Sequence, residues 1–226
     1  MATKQRPVPP RPAPRLYLAT PLVAEPSSLV AVLPELLAAA DVAAVLLTFA
    51  PADERSMTEH AKTIAGIVQK TGAALLLDGH FGLAARAGAD GANISGIADL
   101  EDAISTLKPD RILGVGGLHT RHDAMIAGES GADYVLFGEP AEDGERPSSE
   151  AIFERLQWWA EVFEPPCVGY AATLQEAGLF AESGADFILV GEFIWQDERG
   201  PRAALIETSQ IVQKHFDAAF GNAKAS

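Results

Sequence analysis

Residues 129–138 read ESGADYVLFG and residues 182–191 read ESGADFILVG. They differ only by apolar exchanges, Tyr134 for Phe187, Val135 for Ile188 and Phe137 for Val190. Each stretch sets a glycine where a helix should end, then a tight Ala-Asp turn, then a run of apolar β-formers. A shorter echo, AGADGANI, stands at 87–94. One helix–turn–strand design used repeatedly is the mark of a chain assembled from equivalent βα units. In a ring every unit packs against equivalent neighbours, so the repeat predicts a closed (β/α)₈ TIM barrel rather than an open doubly wound sheet.

Outward from these stretches the same alternation covers most of the chain. Strands are predicted at 15–20, 42–49, 73–78, 91–94, 111–116, 134–138, 167–171 and 187–191. Helices are predicted at 27–40, 56–71, 80–87, 99–108, 120–130, 148–163, 173–183 and 201–217. Most of the strands are apolar throughout, as a parallel sheet covered by helices requires. Ser27, Ser56, Asp99, Thr120, Ser148 and Thr173 stand where N-caps are wanted. The barrel should therefore occupy 15–217 as a single domain. Residues 1–14 hold five prolines, which resist both helix and sheet pairing. They read as a disordered or polyproline-II leader with few contacts to the barrel, and residues 218–226 read as a flexible tail.

The bulk properties agree. A chain of 226 residues suits one barrel of this kind, and 48% hydrophobic against 21% charged residues marks a globular protein. The net charge is −14. Four of the 17 Lys and Arg residues (Lys4, Arg6, Arg11 and Arg15) lie in the leader or at its end, which leaves 13 against 31 acidic side chains. Such a surface repels phosphate backbones, so nucleic acid is not an expected partner. No apolar run is long enough to span a membrane, and the basic N-terminus lacks the apolar core of a secretory signal. The lone Cys167 cannot form an intrachain disulfide, which fits a cytoplasmic protein, and its strand position predicts inert packing.

In a barrel the reacting groups gather at the C-terminal ends of the strands. That rule selects Thr20, Thr48, Asp78 to His80, Asn93 to Ser95, Gly116 to His119, Glu139 to Asp143, Tyr170 to Thr173 and Glu192 to Trp195. Asp78 and Asp99 are carboxylates of the kind that hold Mg²⁺, although Asp99 could simply cap the helix that follows. His80 and His119 read as general acids or as polar loop surface. Glu139, Glu142, Asp143 and Glu192 predict either an acidic pocket for a cation or amine, or a solvated acidic rim. Trp158 and Trp159 are adjacent on a helix and point about 100° apart. One can pack inward while the other faces outward, where it would suit a homo-oligomer surface.

The segments Leu16-Tyr17-Leu18-Ala19-Thr20, Ala84 to Ile94, Gly114-Val115, His119-Thr120 and Gly131 to Gly138 together resemble the thiamine phosphate synthase family. The last run also resembles the sister thiazole tautomerases. The similarity covers about residues 15–195. It implies a TIM-barrel transferase of thiamine biosynthesis that joins hydroxymethylpyrimidine diphosphate to thiazole phosphate. In that reaction Mg²⁺ and cationic side chains meet the departing diphosphate.

Against the family pattern, this chain carries substitutions at most of the functional positions. Leu46, Thr48 and Ala50 replace a Gln, an Arg and a Lys on strand two. Asp78-Gly79 replaces Asn-Asp, so the metal-binding carboxylate lies one place earlier, which in a strand turns it towards the opposite face unless the loop re-aims it. Asp99 matches the second metal-binding Asp only across an inserted residue. Gly116 or Gly117 replaces a Ser, while His119 is kept. An acidic loop from Glu139 to Arg146 replaces a Thr-rich loop ending in Lys. Ala171-Ala172 replaces the Gly-Gly whose NH groups cradle phosphate, adding two methyl groups where glycine lets the backbone approach closely, and Glu192 replaces a Ser. Glu139 also stands where the tautomerases have a catalytic His. Thr20, Asn93, Ala171, Ala172 and Glu192 are thus the expected substrate-binding positions. Asp78, His119 and Glu139 are the expected catalytic ones. Three functions stay open: a synthase, a lapsed relative that binds a small molecule or a partner, and a proton-transfer enzyme built on Asp78, His119 and Glu139.

Overall fold

A computed structural model of the chain describes residues 11–141 and 143–221. Eight parallel strands close into a barrel in the order β1 to β8, each paired with its neighbours in sequence, and β8 returns to β1. The strands are β1 (Arg15–Ala19), β2 (Val42–Leu47), β3 (Ala74–Asp78), β4 (Gly91–Ser95), β5 (Ile112–Gly116), β6 (Tyr134–Phe137), β7 (Cys167–Ala171) and β8 (Phe187–Val190). Among the described residues the helices are α1 (Ser27–Ala39), α2 (Glu54–Val68), α3 (Ala84–Ala87), α4 (Leu100–Leu107), α5 (Arg121–Glu129), α6 (Ser149–Val162), α7 (Leu174–Ala181), α8 (Glu192–Trp195) and α9 (Pro201–Phe220). The fold is the expected single-domain (β/α)₈ barrel.

Alternation along each strand divides the interior into two packed regions. Tyr17, Leu46, Leu76, Tyr134, Leu136, Val168 and Leu189 fill the barrel itself. Residues such as Leu18, Val45, Leu75, Val115 and Ile188 face the helices and build the larger core.

The repeated Gly-Ala-Asp turn has a structural meaning. Asp133 N–H donates to the Leu113 carbonyl at 2.8 Å, and the Asp133 carboxylate accepts from the N–H of the same residue at 2.7 Å. Asp186 does the same with Cys167, at 3.0 and 2.9 Å. Asp90 repeats it with Leu75, at 2.9 and 2.7 Å. Each Asp precedes an even-numbered strand and clamps the start of the odd-numbered strand before it. The repeat in sequence is thus one reciprocal hydrogen-bond pair used three times around the ring.

Several boundaries depart from expectation. α2 starts at Glu54 because Asp53, not Ser56, is its cap: the Asp53 carboxylate accepts the Ser56 N–H at 3.0 Å and its hydroxyl at 2.7 Å. α1 is preceded by Pro26 and has no side-chain cap, so Ser27 does not cap it. Asp99 occupies the cap position of α4 but makes no capping bond. Thr120, Ser148 and Thr173 cap as expected. The last helix runs to Phe220, which moves the start of the expected tail past 217. Residues 1–10 and 222–226, most of the expected tails, lie outside the described residues. Within the expected leader, Arg11 donates to the carbonyls of Gly184 (2.6 Å) and Ala160 (2.7 Å), Ala13 packs on the core and Pro14 is buried. Residues 11–14 therefore belong with the barrel.

Trp159 is fully buried and donates its indole N–H to the Pro165 carbonyl at 2.7 Å. Its neighbour Trp158 is half-buried under the Arg121 guanidinium, 4.6 Å from the ring centroid. Cys167 is buried, which pushes its thiol up to about 12, as inert packing requires.

Candidate functional site

The mouth is built where the strands end. A chain of polar groups rises through the barrel towards it. The Tyr17 hydroxyl meets the Tyr134 hydroxyl at 3.0 Å, and Tyr134 donates to Asn93 Oδ1 at 3.1 Å. Since Tyr134 has one hydrogen, given to Asn93, Tyr17 is the donor in the first bond. Asn93 pairs in register with Asp78 on the adjacent strand. Asp78 accepts from the Thr48 hydroxyl at 3.3 Å. Burial raises the Asp78 carboxyl above its ordinary value, while Thr48, His80 and Asn93 pull it back. Asp78 therefore lies inside the mouth, although the shift of one place along β3 predicted the opposite face.

Glu139 follows β6 and folds back over β5. Its Oε1 accepts the Gly117 N–H at 3.1 Å. Burial pushes this carboxyl up to about 7, and Asp78 adds to the rise while Gly117 opposes it. A cavity of about 580 Å³ opens beside it, lined by Ser95, Gly117, His119, Glu139, Ala141 and Asp143 among others. His119 is exposed there. Asp78, His119 and Glu139 thus share the mouth, but among the described residues no hydrogen bond joins any two of them.

Between β7 and α7 the expected phosphate cradle is already filled. The Ala172 N–H donates to Glu176 Oε2 at 2.8 Å. Glu176 also accepts from the Ser149 hydroxyl at 2.6 Å and from Arg146 Nη1 on both oxygens, at 2.9 and 2.8 Å. Arg146 further donates to the carbonyls of Gly138 and Tyr170, at 2.9 and 3.1 Å. Burial works to raise the Glu176 carboxyl, but the bonds from Ser149, Arg146 and Ala172 outweigh it and hold the group below its ordinary value. Ala171 was expected to crowd the cradle with its methyl group. It is instead buried in the helix-facing core, because alternation along β7 turns it away from the mouth.

A second cavity, of about 600 Å³, lies between the ends of β1, β7 and β8 and brings Thr20 and Glu192 together. Thr20 is buried and accepts the Thr48 N–H at 3.2 Å. Glu192 is exposed and accepts from Gln196 at 2.7 Å. A further cavity of about 310 Å³ sits at the opposite end of the barrel, over Ala44, Ala74 and Phe187, away from the strand ends that carry chemistry.

A family model described as Thiamine monophosphate synthase matches residues 16–194. The chain belongs to this family. It is 36% identical over 203 residues to the thiamine-phosphate synthase of Rhodospirillum centenum, covering 88% of this chain and 98% of that protein. It is 35% identical over 208 residues to the thiamine-phosphate synthase of Hyphomonas neptunium, covering 87% and 92%. In three dimensions it is similar to a thiamine phosphate pyrophosphorylase from Pyrococcus furiosus, with a TM-score of 0.75 at 24% identity over 89% of this chain and 96% of that one. It is also similar in fold to 3-hexulose-6-phosphate synthase from Salmonella typhimurium, with a TM-score of 0.67 at 19% identity over 89% and 99%.

The Mg²⁺ that the family implies finds a poor donor set in this barrel. Asp78 is tied to Thr48, Asp99 stands exposed before α4, and no three metal-ligating side chains cluster among the described residues. No helix among them is long and apolar enough to cross a membrane. The sequence reading gave no role to the pair Arg146 and Glu176. Two signals were available. Arg146 is the only cation in the acidic stretch 139–146, and Thr173 with Glu176 has capping-box spacing.

Proposed function

We propose that this member of the family binds a small molecule at its mouth and does not make thiamine phosphate efficiently. One observation carries the reading: the N–H groups of Gly117 and Ala172, at the ends of β5 and β7, already hold carboxylates of the same chain, Glu139 and Glu176. An incoming phosphate would have to displace a carboxylate or sit beside one. Two like charges about 4 Å apart cost on the order of 4 kcal/mol at an effective dielectric near 20, roughly a thousandfold in affinity. Among the described residues no Lys or Arg lines either cavity at the mouth, and Arg146 is committed to Glu176. Loss of diphosphate needs cations to meet the leaving group, and these residues supply none.

Two relatives are thiamine-phosphate synthases, which makes thiamine phosphate synthesis the activity to test. A strain lacking its synthase, transformed with this chain, should not grow without thiamine. Titration of the protein with thiazole phosphate should release no measurable heat of binding. Growth, or micromolar binding, would overturn the reading.

Glu139 favours a second reading. A half-buried carboxyl with a pKa near 7 beside an open cavity is suited to moving a proton at neutral pH, with burial holding that value up, Asp78 adding to it, and His119 lining the same cavity. Solvent deuterium would then exchange into a tautomerisable thiazole phosphate carboxylate, and Glu139→Gln would abolish the exchange. Equal exchange in both proteins would remove Glu139 from that role.

A further inference from the structure

We infer that the cavity between β1, β7 and β8 is a binding site for a small organic cation, one that carries alkyl or aryl groups around its charge. The inference rests on the acidic-mouth reading above and gives it a ligand class.

The cavity of about 600 Å³ falls within the roughly 300–1,000 Å³ usual for small-molecule sites. Among the described residues its wall holds two aromatic side chains, Tyr170 and Trp195, and one carboxylate, Glu192, with no Lys, Arg or His. Aromatic walls beside a carboxylate attract organic cations. Trp195 is fixed in place, since its indole N–H donates to the Ala19 carbonyl at 2.7 Å. Glu192 Oε1 accepts from Gln196, while Oε2 has no protein partner among the described residues. Arg146 lies 5.5 Å from the Tyr170 ring centroid, but its charge is answered by the bidentate contact with Glu176. Among the described residues that line the cavity, the charged side chain is thus the Glu192 carboxylate.

Other ligand classes fit less well. An anion meets Glu192 with no cation to offset it. A metal ion finds a single carboxylate. A neutral apolar molecule would cover Glu192 and strip its water without compensation. Leu22, 68% exposed at the rim, supplies apolar surface that a bare ammonium ion would not use.

The test is calorimetric titration of the full chain with tetramethylammonium, ammonium and inorganic phosphate at constant ionic strength. Tetramethylammonium should bind saturably in the millimolar range, and ammonium and phosphate should not. Glu192→Gln, an exposed and fold-neutral change, should weaken tetramethylammonium about two- to fivefold. Absent binding, unchanged affinity in Glu192→Gln, or ammonium binding as tightly as tetramethylammonium would each overturn the site. Phosphate binding would overturn the acidic-mouth reading as well, whereas silence from all three probes would sink the cation site alone.

Discussion

The carboxylate of Glu139 occupies space that exists because position 116 has no side chain. A Cβ on Gly116 would stand 1.9 Å from Glu139 Oε1. Two residues earlier, a Cβ on Gly114 would stand 1.9 Å from the Tyr134 ring. Two of the three inward positions of β5 are thus vacated for two side chains from β6 and its loop, while Ile112 fills the third.

These two glycines should respond differently to alanine. Gly116→Ala meets the far end of a flexible side chain, so the fold should survive and the Glu139 carboxylate should swing towards water. Its pKa, followed by carbon NMR, should fall from about 7 towards the ordinary value of 4.5. Gly114→Ala meets a buried ring that cannot move aside and should cost about 3 kcal/mol in urea unfolding. An unchanged Glu139 titration in Gly116→Ala would show that the carboxylate does not sit over position 116.

The raised pKa of Glu139 makes a signed prediction. The folded state holds the Glu139 proton up to about pH 7, while its ordinary value is 4.5. The contribution is present in full below the lower value, is lost as pH rises between the two, and stays lost above 7. Glu139→Gln should therefore stabilise the protein at pH 8 relative to pH 5 by on the order of 1–3 kcal/mol. Parallel urea curves for the two proteins across this range would contradict it.

Removing Arg146 should strand a buried carboxylate. Its side chain is 19% exposed and that of Glu176 is 11% exposed, so the pair is poorly solvated. Arg146→Met should destabilise by about 3 kcal/mol. The double variant Arg146→Met/Glu176→Gln should recover part of that loss, and equal losses in the single and double variants would show that the charge of Glu176 is not the cause.

The three clamping aspartates should be equivalent. Asp90→Ala, Asp133→Ala and Asp186→Ala each leave a strand-entry N–H without its carboxylate partner and should cost about 1–3 kcal/mol. Asp→Asn at the same positions keeps an acceptor and should cost less. Asp133 also meets Lys108, so its loss should be the most salt-sensitive of the three.

The architecture was legible in the chain because its signals are local. A Gly-Ala-Asp turn, an all-apolar strand and a Ser or Thr cap are each decided within a few residues, and their recurrence fixed a ring of eight units. The family was legible from the same framework, as was the loss of cationic positions from strand two and the loop after strand six. The arrangement of the mouth was not legible. Asp78 faces Thr48 and Asn93, 30 and 15 positions away, and Ala171 turns outward. Glu176, read only as part of a helix start, closes the cradle with Arg146 from the preceding unit. These outcomes depend on which side chains meet across neighbouring strands and loops, and on space left by glycines two strand positions apart. Sequence sets the order of the units and places Glu176 within four residues of Ala172, but only the packing of neighbouring units brings Glu139 onto Gly117 and Arg146 onto Glu176, because those contacts bridge units whose separation along the chain carries no local signal.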